Sequence, residues 1–424
     1  MTHPGKLAIP PSQTMQDIES HSVIADGRRR GEFLNLSMGS AFQPIISLPH
    51  RRAVGYEALL RARAGDGQAV APPTVFDMAQ GESECVFLDR LCRYLHVGNF
   101  LASAAAPDTW LFLNVNPLVS VQGREHGTFF EEMLAHYGIP AHRIVIEVLE
   151  GQIEQEDRLA ASVDYYKSLG CLVAIDDFGA GHSNFDRIWR IGPHIVKLDR
   201  AMIAQAATNS VVRRLLPRLV SMVHESGSLA LMEGIETEEQ ALISMDAGFD
   251  FVQGYYFGRP ADTIGPLGSE MVDICDRFRS FSDQENQRYR QELHRYETLF
   301  GNAARLLGAG RSIEPACRDL LEQPRVERCY LLDMEGRQHG ANLAAPDRLR
   351  PPNPRFAPLA DASGAVWSRK PYFRRAVAAP NQVQISRPYL SITGANMCVT
   401  LSILIDTQAG PRIFCLDLDW SDQY

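Results

Sequence analysis

Three things are scarce in this chain, and each scarcity removes a class of protein. No apolar run reaches membrane-spanning length, and the N-terminus MTHPGKLAIPPSQTMQDIES lacks the long apolar core of a secretion signal. The eight cysteines, Cys85, Cys92, Cys171, Cys275, Cys317, Cys329, Cys398 and Cys415, show neither CxxC nor His-paired spacing. That scatter argues against a zinc knuckle and a disulfide framework, and it fits a reduced cytoplasm. A basic excess is also missing, since the formal net charge is -9 and the pI is near 5.8. Duplex nucleic acid therefore finds no attracting field, although a nucleotide remains possible where positive charge is local or supplied by metal. The basic patch Arg28, Arg29, Arg30 reads as a solvated helix start closing a polar leader, residues 1–37.

What is present is length and pattern. At 424 residues the chain exceeds one ordinary core, so two domains are expected. Between residues 42 and 257, eight short β-rich runs alternate with helical ones: FQPIIS (42–47), AVGYEALLR (53–61), WLFLNVN (110–116), RIVIEVL (143–149), CLVAIDD (171–177), HIVKLD (194–199), SLALMEG (228–234) and DFVQGYYF (250–257). Only LPHRR (48–52) joins the first two, too short for a crossover, so they should form an antiparallel hairpin. The fold class predicted is α/β: a TIM-like (β/α)8 barrel over 38–262 with an antiparallel first strand, followed by a smaller α+β domain. VFLDRLCRYLHVGNFLASA, EDRLAASVDYYKSLG and SVVRRLLPRLVSMVHESG carry apolar residues at three- and four-residue spacing and supply outer helices.

Beyond Pro260 the character changes. Ile274, Phe278, Phe281, Tyr289, Leu293, Tyr296, Phe300, Ala303 and Leu307 form a seam at alternating spacings of four and three. One long amphipathic helix, or two in line, is implied within a helical linker at 263–310, packing on a partner helix or on its own domain. From 311 to 424 the chain turns Pro-rich and then strand-rich, and a small antiparallel sheet is expected.

Polar residues at strand C-terminal ends form the working face of a βα barrel. Glu57, Asn114, Glu147, Asp176, Asp177, Lys197, Glu233, Glu236 and Gln253 fall there on one strand after another. Mixed carboxylate and carboxamide oxygens suit a hard divalent cation such as Mg²⁺ or Mn²⁺, and acids crowded without one would oppose folding. The set predicts metal.

These residues fall in motifs that resemble the EAL-domain phosphodiesterases of cyclic di-GMP. They are Glu57-Ala58-Leu59 within YEALLR, NVNP (114–117), EVLE (147–150), DDFGAGHS (176–183), KLD (197–199), EGIET (233–237) and QGYYFGRP (253–260), in order. The resemblance implies two metal ions per barrel. Glu57, Asn114, Glu147 and Asp176 would hold the first, and Asp176 would bridge to a second held by Asp177 and Glu233. It assigns catalysis to Lys197 and Glu233, with Glu236 supporting the site and Glu150 bracing the loop after Asp177. Gln43, Leu60, Arg61, Asp199, Gln253 and Pro260 would contact substrate. The implied reaction is in-line hydrolysis of one phosphodiester bond to linear pGpG in a dimer, and the alternative is a catalytically weak or silent cyclic di-GMP receptor. Departures from the usual pattern are Leu149 for threonine, Asn116 for serine, and Ala180, His182, Asn184 and Phe185 in the loop. Leu149 removes a hydroxyl that could have held that loop, which implies slow turnover or dependence on the second domain. Residues 370–405 resemble PAS- and Cache-like sensor modules, with Tyr372, Arg374, Tyr389 and Ser391 as candidates for a small-ligand pocket.

Overall fold

The computed structural model describes residues 14–115, 128–149, 156–180, 186–265, 270–344, 362–391 and 396–421. They form two compact units, divided between Ser282 and Asp283.

The first unit opens with helix α1 (Met15–Ser20) and strands β1 (Ser22–Ala25), β2 (Arg28–Phe33), β3 (Leu36–Ser47), β4 (Arg52–Arg63) and β5 (Ala69–Val70). Helices α2 (Pro72–Asp77) and α3 (Gly81–Leu101) lead to β6 (Trp110–Asn114), α4 (Phe129–Tyr137), β7 (Ile144–Leu149), α5 (Glu156–Ser168), β8 (Leu172–Phe178) and α6 (Asp186–Ile191). Then come β9 (Ile195–Leu198), α7 (Arg200–Thr208), α8 (Ser210–Glu225), β10 (Leu229–Met232), α9 (Glu238–Ala247), β11 (Phe251–Val252) and α10 (Glu270–Gly308).

Strands β3, β11, β10, β9, β8, β7, β6 and β4 close into a ring through the β3–β4 pairing. β3 runs antiparallel to both neighbours, and the remaining pairs in the ring are parallel. All eight predicted strands are found, with the reversal where the short LPHRR connection demanded it. Ile45, Phe112, Val145, Ala174, Ile195, Leu231 and Phe251 plug the barrel as one cluster, while the larger core lies between strands and outer helices. On β4 the plug position belongs to Gly55, where a Cβ would meet Phe112 Cε2 at 2.7 Å.

Residues 15–33 are more than a leader. Thr14 and Asp17 form a capping box on α1, and β1–β2 is a hairpin whose second strand pairs with β3. Arg28, Arg29 and Arg30 are therefore strand, not the start of a helix. The reason is tertiary: β2 packs on α3, where Gly31 leaves room for Leu91 and Leu95. α3 is buried continuously from Val86 to Phe100, including the Asp89–Arg93 ion pair, because other elements cover it on all sides.

The early part of α10 places Ile274 in the first unit's core. In the second unit Leu293, Tyr296, Phe300, Ala303 and Leu307 pack on that unit's own sheet, with Phe300 stacked on Phe414 at 4.6 Å. The seam thus serves its own domains. The second unit continues with α11 (Ile313–Ala316), α12 (Arg318–Leu321), β12 (Val326–Leu332), β13 (Gln338–Leu343), α13 (Pro371–Ala378), β14 (Gln384–Ile385), β15 (Tyr389–Leu390), β16 (Met397–Thr407) and β17 (Gly410–Asp419). Its sheet is antiparallel in the order β13-β12-β17-β16-β14, with β15 also on β16.

Candidate metal centre and active site

Strand periodicity builds the site. Successive side chains alternate faces, so the residue two positions beyond each plug residue points into the barrel mouth. Phe112 is followed by Asn114, Val145 by Glu147, Ala174 by Asp176, Ile195 by Lys197, Leu231 by Glu233, Phe251 by Gln253 and Gly55 by Glu57. On reversed β3 the count runs backwards, from Ile45 to Gln43. One layer of polar residues therefore sits directly on one layer of apolar ones.

Lys197 is fully buried at the centre of that layer. Its Nζ lies 2.6 Å from Glu147 Oε1, 2.7 Å from Glu233 Oε1, 3.0 Å from Asp176 Oδ1 and 3.9 Å from Glu57 Oε2. Gln253 Nε2 donates to Glu57 Oε2 at 2.6 Å and to Gln43 Oε1 at 3.3 Å, while Asn114 Nδ2 donates to Glu57 Oε1 at 2.9 Å. Gln43 in turn donates to the carbonyl of Gly258 at 3.2 Å. The loop carrying Gln253 approaches so closely that a Cβ on Gly254 would lie 2.0 Å from Ile235 O.

Asp177 should face away from Asp176, yet it does not. Ile175 pairs with Val196 and Phe178 with Leu198, so Asp176 and Asp177 together stand opposite the single residue Lys197. This bulge, with Asp177 in the left-handed region at φ 56°, turns both carboxylates toward the mouth. Carboxylate oxygens of Asp176, Asp177 and Glu233 all come within 4.8 Å of one another.

The charges do not balance. Glu57, Glu147, Asp176, Asp177 and Glu233 face one lysine, a formal excess of four negative charges that two divalent cations would neutralise. Burial drives the Glu147 carboxyl well above its usual range against the pull of Lys197. Glu233 is pushed up to about 8 by burial, Lys197 opposing and Asp176 and Glu57 adding. Asp177 is raised by burial and then by Asp176 and Asp199. Burial opposes the charge on Lys197, but Asp176, Glu147, Glu233 and Glu57 outweigh it and hold the amine well above its ordinary value. Beyond the Lys197 contact on Oε1, Glu147 has no further partner: its Oε2, like Oε1 of Gln253, is buried without a hydrogen bond. Hard oxygen donors left this way fit Mg²⁺, Mn²⁺ or Ca²⁺.

Other expected site residues lie elsewhere. Leu60 is a correction: one step out of phase with Glu57, its side chain is buried with Ala58 and Ala62 in the outer core. Arg61 is exposed, donates to the Leu60 carbonyl at 2.9 Å and helps line a neighbouring cleft. Asp199 caps α7 by accepting from Ala201 N at 2.9 Å. Glu236 is exposed in the turn before α9, outside the ring of acids about Lys197. Pro260 is half-buried beside Ala261, which pairs with Phe42. Glu150, Asn116, His182, Asn184 and Phe185 lie outside the described residues, as does the side chain of Leu149. One sequence signal was overlooked: lysine occurs only four times in the chain, and one of the four is Lys197.

A closed barrel with one reversed strand and an acid-rich mouth suited to divalent cations defines a class, and the comparison with known families agrees with it. The EAL domain matches residues 28–260, more than half of the chain, and the chain belongs to the EAL-domain family. Among particular proteins it is similar to the EAL-domain containing protein YkuI of Bacillus subtilis (strain 168), 24% identical over 397 residues, 90% of this chain and 94% of YkuI. The crystal structure of YkuI in complex with substrate c-di-GMP and calcium superposes with a TM-score of 0.77, covering 91% of this chain and 96% of that one. PdeN of Escherichia coli (strain K12), a probable cyclic di-GMP phosphodiesterase, is 28% identical over 226 residues, 52% of this chain and 43% of PdeN. The c-di-GMP-bound standalone EAL protein of Vibrio cholerae O395 is 25% identical with a TM-score of 0.50, covering 57% of this chain and 99% of that one. No helix among the described residues is long and apolar enough to cross a membrane.

Proposed function

We propose that the barrel hydrolyses one 3′,5′-phosphodiester bond of cyclic di-GMP to give linear pGpG, using two divalent cations, Mg²⁺ or Mn²⁺. The observation that carries this reading is the imbalance of five converging carboxylates against Lys197 in an EAL-family barrel. Glu57, Asn114, Glu147 and Asp176 would hold one ion, and Asp176, Asp177 and Glu233 the other. When bound, such ions supply Lewis acidity toward the phosphoryl oxygens and ease ionisation of water. The acids around Lys197 favour its charged form in the arrangement described, and its part would be to orient water and oppose developing negative charge. Gln253 and Asn114 fix Glu57 from two sides, which holds that carboxylate in one orientation. Arg61 would take a phosphate oxygen of the substrate, and Gln43, Asp199, Gln253 and Pro260 would contact the ligand elsewhere. Glu236 and Glu150 keep the supporting roles that the family resemblance assigns.

The test is direct. Incubated with cyclic di-GMP and either metal, the full chain should release pGpG, and Asp177→Asn should lose turnover more than binding. Binding without product over long incubation in both metals overturns hydrolysis and leaves a receptor.

We further propose that the second unit is a PAS- or Cache-like regulator, that the working form is a homodimer, and that the protein is cytoplasmic. Tyr372, Tyr389 and Ser391 line a cavity with Arg328, Trp367 and Lys370, whereas Arg374 does not. That cavity has room for little more than a water, about 20 Å³, so a small ligand there has to open it. Sedimentation of the full chain, with and without cyclic di-GMP, tests the dimer.

A further inference from the structure

Beside the mouth, the strands leave the ring and carry a second imbalance, of opposite sign. Gly39 on β3 pairs with Arg61 on β4, and Ser37 pairs with Arg63. On the other side Gly31 of β2 pairs with Met38, and continuing that register brings Arg30 level with Gly39. Arginines thus flank a glycine floor across three strands, and a cleft of about 260 Å³ opens there, lined by Arg28, Arg30, Ser37, Gly39, Arg61 and Arg63 among others. A Cβ built on Gly39 meets nothing within 4 Å, so the floor is open.

The frame under the cleft is rigid. Arg29, alternate to Arg28 and Arg30, lies over the rings of Tyr94 and Tyr137 at 5.1 and 5.6 Å. Asn99 accepts from Arg29 N at 2.8 Å and donates to its carbonyl at 3.0 Å and to Ser40 Oγ at 3.1 Å, clamping β2 and β3 to α3. The one carboxylate lining the cleft, Asp262, is paired by Arg28 at 3.5 Å. Arg61 donates to the Leu60 carbonyl at 2.9 Å and Arg63 to that of Gly67 at 3.1 Å. Among the described residues no carboxylate lies within ion-pair distance of Arg30, Arg61 or Arg63.

We infer that Arg30 and Arg63, with Ser37 over the Gly39 floor, form a second phosphate subsite continuous with Arg61. Guanidinium forks match phosphate oxygens in pairs, and a phosphate offers enough acceptors for forks arriving from both sides, whereas a carboxylate offers two oxygens. The group held is not the one at the reacting bond. Arg61 and Arg63 are four and six residues from Glu57 along β4, about 13 and 20 Å at roughly 3.3 Å per residue. It is either the far phosphate of a linear dinucleotide seated at the mouth or a separate phosphate-bearing anion. The inference does not rest on the barrel being a hydrolase, because the arginines stand outside the ring of acids.

Calorimetric titration of the full chain in EDTA, with pyrophosphate and separately with pGpG, tests it. Wild type should bind at least one probe, more weakly as salt rises. Arg30→Ala and Arg63→Ala should each weaken that binding about tenfold. Gly39→Val, which fills open space while leaving every charge, should abolish it with an unchanged circular dichroism spectrum and Tm. Loss confined to pGpG identifies the tail of a linear dinucleotide, and loss for pyrophosphate identifies a separate anion. Wild type binding neither probe, or all three folded variants binding both as wild type does, overturns the subsite.

Discussion

Each unit buries a cation among acids, and the two do so to opposite ends. In the second unit Arg328 Nε donates to Asp417 Oδ2 at 2.8 Å, and Tyr330 OH and Thr400 Oγ1 donate to Asp417 Oδ1 at 3.2 and 2.7 Å. Arg328 also reaches Ser391 Oγ at 2.8 Å. Burial opposes its charge, but Asp417, Cys398 and Glu327 together outweigh it and Arg328 stays above its usual range. All of these partners lie within the second unit. In the barrel, Lys197 faces four acids at once, and Oε2 of Glu147 is left without a hydrogen bond. A closed network specifies a core, and an open one with excess charge specifies a ligand.

The largest expected break in that comparison is Asp417→Ala. Leaving Arg328 buried and unpaired should cost about 3–5 kcal/mol in denaturant unfolding, with turnover of the folded fraction retained. An unchanged unfolding curve would mean the network is decorative. Next comes Lys197→Met, which should lower kcat of the proposed hydrolysis by on the order of 10²–10³. A loss below about tenfold places the needed charge elsewhere.

The third separates the units by pH. Burial pushes the Glu233 carboxyl up to about 8 from its ordinary 4.5, so between those values the folded protein binds more protons than the unfolded one. Its stabilising share is therefore present below pH 4.5 and lost as pH rises through 8, at no more than about 1.4 kcal/mol per pH unit. Thermal melts in EDTA should fall across that window, and Mg²⁺ or Mn²⁺ should flatten the slope. A metal-independent slope removes the cation from the account. The smallest effect sets the baseline: Arg277→Ala, breaking the exposed pair with Glu238, should cost under about 1 kcal/mol and leave activity unchanged.

Much of this was legible from pattern. Barrel strands are short apolar runs buried on both sides, so all eight could be located, and the five-residue LPHRR connection set the reversal of β3. Glu57, Asn114, Glu147, Asp176, Lys197, Glu233 and Gln253 followed from strand-end position and alternation. Two readings failed for a shared reason: local sequence does not say which face a residue takes or what covers it. Leu60 stands beside Arg61 in the chain but faces the opposite way. Arg28, Arg29 and Arg30 read as a solvated start because the α3 and β3 surfaces that hold them extended are remote in sequence. The seam on α10 had a partner helix and its own domains as equal candidates, and packing of Phe300 on Phe414 chose the latter.

Asp176 and Asp177 mark where the two sources of information divide. Alternation along a strand determines that Asp176 enters the mouth two residues beyond Ala174, and any reader of the sequence can count that far. The same alternation sends Asp177 outward. Only pairing with β9, in which one extra residue on β8 stands against Lys197 and Asp177 adopts φ 56°, brings both carboxylates to one place. A bulge depends on the register of two strands joined through a helix, and register is decided by packing across the whole barrel.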